Sequence, residues 1–300
     1  LAQQGKIDPI FGRDEEIGKL ESILCRRTKP NVIITGEPGV GKTALVDGFA
    51  LKISKGEVSN YFKDAKLYQL DVGALVAGAS YRGEVEDRLK KIIQEIKRLD
   101  KVIIFIDEIH VILDSNSGAS GIANLLKPEL ARGELNVIGA TTTKEYRLHI
   151  EKDAAFTRRF EMLQVSEPSI ADAVKMVNGV KDLFEKHHNF ALAEENLRDI
   201  VVLAKRYFPQ RHLPDSAIDL LDRTMASYRI LEDNIQERNE KAKGRIAEMK
   251  EEQGSGEWKK CWEDVENILS PLAVTGIDLD LPKEGDEVDQ WTSFHQEMIQ

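Results

Sequence analysis

Three runs in the first half of the chain are apolar at nearly every position: Val32-Ile33-Ile34, Val102-Ile103-Ile104-Phe105-Ile106 and Val137-Ile138-Gly139-Ala140. A fourth, weaker run covers residues 66–72. Continuous β-branched runs of this length suit strands buried on both faces of a parallel sheet, where alternation is lost. Between them the period changes to that of a helix. Residues 15–25 put Ile17, Leu20, Ile23 and Leu24 on one face behind Asp14 as N-cap, residues 42–54 and 84–97 continue the pattern, and residues 122–132 stop at Gly133.

Glu167-Pro168-Ser169 breaks this alternation, and residues 170–187, 194–207 and 214–230 then read as helices with no strand candidate among them. The pattern predicts an α/β parallel sheet flanked by helices over residues 1–166, and a small all-helical domain over 167–230. Residues 231–252 are highly charged with a thin apolar line (Leu231, Ile235, Ala242, Ile246, Met249). Gly254-Ser255-Gly256 interrupts it, and Trp258, Trp262, Val265 and Leu269 resume helical spacing. A helical hairpin over 231–270 accounts for both halves, a solvated extension of the preceding helix being the other reading. From Pro271 to residue 300 the chain is acidic, with Pro and Gly, and is expected to be loosely ordered unless docked.

Charge sharpens this division. The 300 residues carry a net charge of −10, and residues 251–300, with 13 Asp/Glu and 3 Lys, hold all of it together with the three Trp. The body is therefore neutral, without the basic excess of a nucleic-acid binder. With no run of about 18 apolar residues, no membrane span is expected. Cys25 and Cys261 form no ligand or disulfide pattern, which suits the cytoplasm. No signal peptide or initiator Met is visible, so residue 1 is expected to lie inside a longer protein.

The chemistry starts where the strands end. The first run leads into Gly36-Glu37-Pro38-Gly39-Val40-Gly41-Lys42-Thr43 and then a helix. Strand, glycine loop and helix in this order form a phosphate cradle, with Lys42 reaching the β- and γ-phosphates of ATP and the Thr43 hydroxyl on Mg²⁺. Asp107-Glu108 ends the strand at 102–106. Asp107 would hold Mg²⁺, and Glu108 would polarise the attacking water. Thr141-Thr142 ends the next strand. A hydroxyl there either touches the γ-phosphate or caps the following turn. Arg158 and Arg159, set between Phe156 and Phe160, are either solvated or an arginine finger. Ile10 and Phe11 are either core or the wall of a base pocket. Tyr81, alone among glycines, is either an exposed working aromatic or packed on its own loop.

Residues 1–229 resemble the first AAA+ ATPase domain of the Clp-type heat-shock unfoldases, ClpB- and ClpC-like. The stretches that carry the resemblance are residues 5–13, 36–43, 73–88, 105–110, 126–134, 139–147, 151–160 and 213–222, in the family's order. The Tyr81-Arg82-Gly83-Glu84 loop and Ile150-Glu151-Lys152-Asp153-Ala154-Ala155 are more specific than a phosphate loop alone. The resemblance implies a P-loop AAA+ domain, a helical lid and a middle-domain-like hairpin. It implies ATP hydrolysis with Mg²⁺ in a homo-hexameric ring that threads polypeptide through its axial pore. Glu108, Thr142 as sensor 1, and Arg158 and Arg159 acting on the neighbour's ATP would be catalytic. Ile10, Phe11, Pro214 and Asp215 would border the adenine and ribose. Tyr81 and Arg82 would grip substrate in the pore, with 115–121 as a second pore loop, and residues 231–300 would meet a partner or adaptor protein. The chain departs from the family at Ser80, Phe11 and Ser216, where Lys, Ile and Lys are usual, and its middle segment is short. The alternative is a nucleotide-gated partner-binding module, or a regulator of a protein assembly such as a secretion sheath.

Overall fold

In the computed structural model, which describes residues 2, 7–79, 82–113, 121–251, 264–265 and 267–268, β1 (Val32–Thr35) is buried at all four positions. Val32 and Ile34 enter one apolar cluster and Ile33 the other. The same division recurs in β3 (Val102–Ile106), where Ile103 and Phe105 serve one face and Ile104 and Ile106 the opposite one. Successive side chains on a strand point to opposite faces, so an unbroken apolar run is what a sheet covered on both sides requires. With β2 (Lys66–Gln69), β4 (Asn136–Thr141) and β5 (Glu161–Gln164), these strands form one parallel sheet ordered β2-β3-β4-β1-β5.

One face is covered by α1 (Asp14–Leu24) and α2 (Lys42–Lys55), through Leu20, Leu24, Leu45 and Phe49, with Phe62 edge-on to Phe49. The other is covered by α3 (Val72–Val76), α4 (Arg82–Ile96) and α5 (Ile122–Arg132), through Val72, Leu89 and Leu126 among others. Each fully buried Leu or Phe contributes roughly 1.5–3 kcal/mol over leaving it exposed. After β5 come α8 (Ile170–His188), α9 (Glu194–Tyr207) and α10 (Asp215–Glu251). Two short helices, α6 (Thr143–Glu145) and α7 (Ala154–Thr157), precede β5, with a π-helical turn (Tyr146–Ile150) between them.

The sequence pattern misses β5. As an edge strand it buries only Leu163, so it lacks the apolar run that marks its neighbours. The strand expected over 66–72 ends at Gln69, because the Asp71 carboxylate accepts from the Ala74 N–H and caps α3. The helix expected over 214–230 does not stop there. It runs 37 residues to Glu251, so the boundary expected at 230/231 falls inside one helix. The chain divides into two compact units, residues 1–223 and 224–300. Within the second, the Arg245 Nε meets Asp264 at 2.9 Å and Arg238 donates to the Ile268 carbonyl at 2.8 Å, with Ala242 and Val265 buried. Trp258, Trp262, Trp291 and residues 271–300 lie outside the described residues. Among the described residues no helix is long and apolar enough to cross a membrane.

Candidate active site

The order β3-β4-β1 brings three strand ends side by side at the C-terminal edge of the sheet, where open α/β sheets bind ligands. The loop from Gly36 to Thr43 leaves β1. Gly39 and Gly41 take φ of +82° and +92°, a region closed to most side chains, and this turns the loop's N–H groups inward. No side chain caps α2, so its first-turn N–H groups remain for a ligand. Lys42 Nζ donates to the carbonyls of Gly36 and Glu37, both at 3.0 Å, which folds the ammonium over the loop. Burial pushes the Lys42 ammonium below its ordinary value, against the opposing pull of Glu108, Asp107, Glu37 and Glu145.

At the end of β3, Asp107 Oδ2 accepts from Thr43 Oγ1 at 3.0 Å. A hydroxyl and a carboxylate facing the same phosphate loop are hard oxygen donors, a set that fits Mg²⁺, which neutralises phosphate charge when bound. Asp107 Oδ1 accepts from the Glu108 N–H at 2.9 Å. Glu108 itself sits at φ +51°, a left-handed conformation that costs a non-glycine residue about 1 kcal/mol or more. That backbone turn separates the two carboxylates: Asp107 faces Thr43, whereas Glu108 is 63% exposed at its side chain.

At the end of β4 the two threonine hydroxyls have different nearest partners. Thr141 is buried, with its Oγ1 3.0 Å from His110 Nδ1. Thr142 caps α6. Its Oγ1 and Glu145 form a capping box, with Thr142 Oγ1 donating to Glu145 Oε2 at 2.6 Å. Partial burial alone would raise the Glu145 carboxyl, but the hydrogen bonds from Thr142, with His110 and Thr141, leave it below the usual carboxylate range.

The family profile "ATPase family associated with various cellular activities (AAA)" matches residues 32–167, and the "AAA lid domain" profile matches residues 169–268. The chain is 50% identical over 236 residues to the chaperone protein ClpB of Rhodopseudomonas palustris, covering 78% of this chain and 27% of that one. It is equally identical over 236 residues to the Clp protease ATP-binding subunit ClpE of Bacillus subtilis, covering 78% of this chain and 34% of that one. The structure of the Saccharomyces cerevisiae Hsp104:casein complex in its extended conformation aligns with a TM-score of 0.72 at 45% identity, over 77% of this chain and 40% of that one. This chain is a Clp-type AAA+ ATPase domain with its helical lid. It spans about a third of the curated Clp relatives it matches.

Of the remaining residues singled out in the sequence, Asp215 reaches this AAA+ site. Asp215 N–H meets the Gly39 carbonyl at 3.4 Å, so the segment after Leu213 touches the phosphate loop, with Pro214 beside it. Ile10 packs against α2 at Gly48. Phe11, 41% exposed, lays its ring on Gly179 of α8, where a Cβ would collide with it. Tyr81 and most of 115–121 lie outside the described residues, as does the side chain of Arg82.

Arg158 and Arg159 follow α7. Arg158 is exposed. Arg159 is half-buried, and its guanidinium donates to the Ala155 carbonyl. Phe156 and Phe160 stack 4.7 Å apart beneath them, so the aromatics are core and the arginines ride on it. Asp153, which accepts from the Ala155 and Phe156 N–H groups at 3.0 Å and from Lys127 at 2.6 Å, fixes where α7 starts. Burial alone would raise the Asp153 carboxyl, but Lys127 and the Phe156 and Ala155 N–H groups outweigh it and hold it below the usual carboxylate range. A carboxyl lowered by folding stabilises above its unfolded value and loses that contribution as pH falls through its folded one. Asp153→Ala is therefore expected to cost about 1 kcal/mol at pH 7. Urea denaturation at pH 7 and at progressively lower pH should show that gap shrinking, and a pH-independent gap would contradict the capping role.

Sequence reasoning missed three residues that hold the AAA+ site together. Arg13 is buried and donates to the Val40 carbonyl at 2.8 Å and the Ser166 carbonyl at 3.1 Å, joining the phosphate loop to the entry of the lid. Asn31, fully buried, accepts from Val137 N–H at 2.9 Å and donates to the Arg159 carbonyl at 3.1 Å. Glu167 accepts from Leu213 N–H at 2.9 Å and pairs with Lys205 at 2.5 Å. Of the three, Arg13 had a signal, since it follows the turn at Gly12 just before an acidic helix start.

Proposed function

We propose that this domain binds ATP with Mg²⁺ and hydrolyses it within a homo-hexameric ring that threads polypeptide through its axial pore. The observation that carries the reading is the juxtaposition at one sheet edge of a glycine cradle with its lysine, the Thr43–Asp107 pair at 3.0 Å, and the Glu108 carboxylate on a strained backbone. In this reading the loop N–H groups and Lys42 hold the phosphates, and Thr43 and Asp107 hold the metal. Glu108 takes a proton from the attacking water, and Thr142 at the end of β4 reads the γ-phosphate. Arg158 and Arg159 act on the ATP of the neighbouring subunit. Ile10, Phe11, Pro214 and Asp215 line the base and ribose. The ClpB and Hsp104:casein likenesses support a protein substrate, gripped by Tyr81 and Arg82. The protein works in the cytoplasm, without nucleic acid.

The test is ATP hydrolysis per subunit across a protein concentration series. A steep rise supports sites completed between subunits. A high rate independent of concentration would mean that one chain completes its own site, and the inter-subunit reading would fail. Tyr81→Ala is expected to leave hydrolysis within about twofold and to abolish threading of a fluorescent unfolded substrate by the full-length protein. Normal threading by that variant would overturn the pore assignment.

A second reading has its own support. Residues 224–300 form a separate compact unit, and the Arg245–Asp264 and Arg238–Ile268 contacts run antiparallel, as a hairpin would. In this reading the hairpin over 231–270 and the acidic segment after it form a nucleotide-gated surface for a partner protein. Deleting 231–300 would then preserve ATP hydrolysis and remove partner binding, whereas loss of both would make the segment structural.

A further inference from the structure

We propose that His110 is a positioning residue that fixes the orientation of Glu108 from the end of β4. The proposal rests on the reading of Glu108 as the base that activates water.

The need arises from Glu108 itself. Its side chain is 63% exposed, and a Glu with three free torsions in water samples many rotamers. A general base works only when held within hydrogen-bond reach of one proton in one direction. The left-handed backbone at Glu108 sets where the side chain starts, but not where its carboxylate ends. Among the described residues, His110 is the only basic side chain within ion-pair distance of that carboxylate, with Nε2 3.5 Å from Glu108 Oε2.

His110 can serve as a fixed point because its other edge is anchored. It stands on the 3-10 turn Ile109–Ile112 directly after Glu108, only 13% exposed at its side chain. Ile109 packs where a side chain at Gly139 of β4 would stand, so the turn is seated on that strand. The ring Nδ1 lies 3.0 Å from the buried Thr141 hydroxyl and 3.5 Å from Glu145 Oε2. Glu145 is locked in turn by the Thr142 capping box. The ring thus spans two strand ends: one nitrogen on β4 and α6, the other beside the carboxylate that follows β3. Thr142 and Glu108 become linked through Glu145 and His110. No other contact described at the site connects the β4 terminus to the base.

Steady-state kinetics of His110→Ala, His110→Gln, Glu108→Gln and the double variant His110→Ala/Glu108→Gln test this. ATP affinity is followed with a fluorescent nucleotide, and folding by thermal melting. His110→Ala is expected to lower kcat by about tenfold or more, toward the roughly 10²-fold that misplacing a catalytic group costs, with KM and nucleotide affinity nearly unchanged. His110→Gln, which puts a nitrogen where Nε2 stood, should recover most of the loss. In the Glu108→Gln background, measured by single-turnover hydrolysis, removing His110 should cost less than about twofold, because residues acting as a unit are non-additive. An equal cost in both backgrounds, or no cost in the parent, overturns the positioning role while leaving the base in place. Undiminished turnover in Glu108→Gln alone removes the base assignment, and this proposal with it.

Discussion

Glu108→Gln is expected to reduce ATP turnover by about 10²–10⁴-fold, the usual contribution of a general base. Nucleotide binding should survive. The substitution keeps the shape of the side chain and the Glu108 N–H bond to Asp107, and the groups that would bind the phosphates and metal, Lys42, Thr43 and Asp107, are untouched. At 1.36 kcal/mol per tenfold, the loss corresponds to roughly 3–5 kcal/mol of transition-state stabilisation. Asp107→Ala makes the contrast. Its carboxylate faces Thr43 in the phosphate site, so its loss should raise KM for MgATP as well as lower kcat. Steady-state kinetics on both variants separates the roles: a kcat effect alone at Glu108, both parameters at Asp107. Turnover within about threefold of the parent in Glu108→Gln would remove Glu108 from the chemistry.

That two adjacent carboxylates face different surroundings could be read from the sequence only as far as their position at a strand end. The apolar runs at 32–34 and 102–106 announced strands covered on both faces, and the glycines of 36–41 announced the loop, because those signals are local. The pieces that arrange the site are not local. Asn31 reaches Val137 and Arg159, more than a hundred residues away, with a single amide, and nothing around Asn31 marks it. β5 was invisible because an edge strand needs only one buried side chain. Two features are legible in the sequence, each as one of two open readings. Thr142-Thr143-Lys144-Glu145 is a capping-box pattern, which settles where the Thr142 hydroxyl rests in this structure. Residues 215–251 contain no Pro and a single Gly, so nothing in them would stop a helix. Charge density suggests a boundary there, but helix continuity depends on propensity and breakers, and Glu, Lys and Arg are good helix formers.

The Arg158-Arg159 pair should show the largest effect of all. Arginine fingers contribute about 10³–10⁵ in rate, because a cation meets the charge that develops on the transferred phosphoryl group. The two arginines are not equivalent. Arg158 is exposed after α7, whereas Arg159 is half-buried, donates to Ala155 and has its carbonyl held by Asn31. Arg158→Ala should therefore lower turnover without changing thermal stability, and Arg159→Ala should lower both. Mixing identifies the chain on which they act. Glu108→Gln subunits keep their arginines but would lack the base, and Arg158→Ala/Arg159→Ala subunits would keep the base but lack the arginines. Each alone is expected to be nearly inactive. In an equal random mixture, about a quarter of the interfaces of a head-to-tail ring would pair an intact base with an intact neighbouring arginine pair. If each subunit supplies one half of its neighbour's site, turnover should recover toward about a quarter of the parent rate. If the arginines served their own chain, no mixture of the two variants could contain a complete site, and activity would stay at the level of the separate proteins.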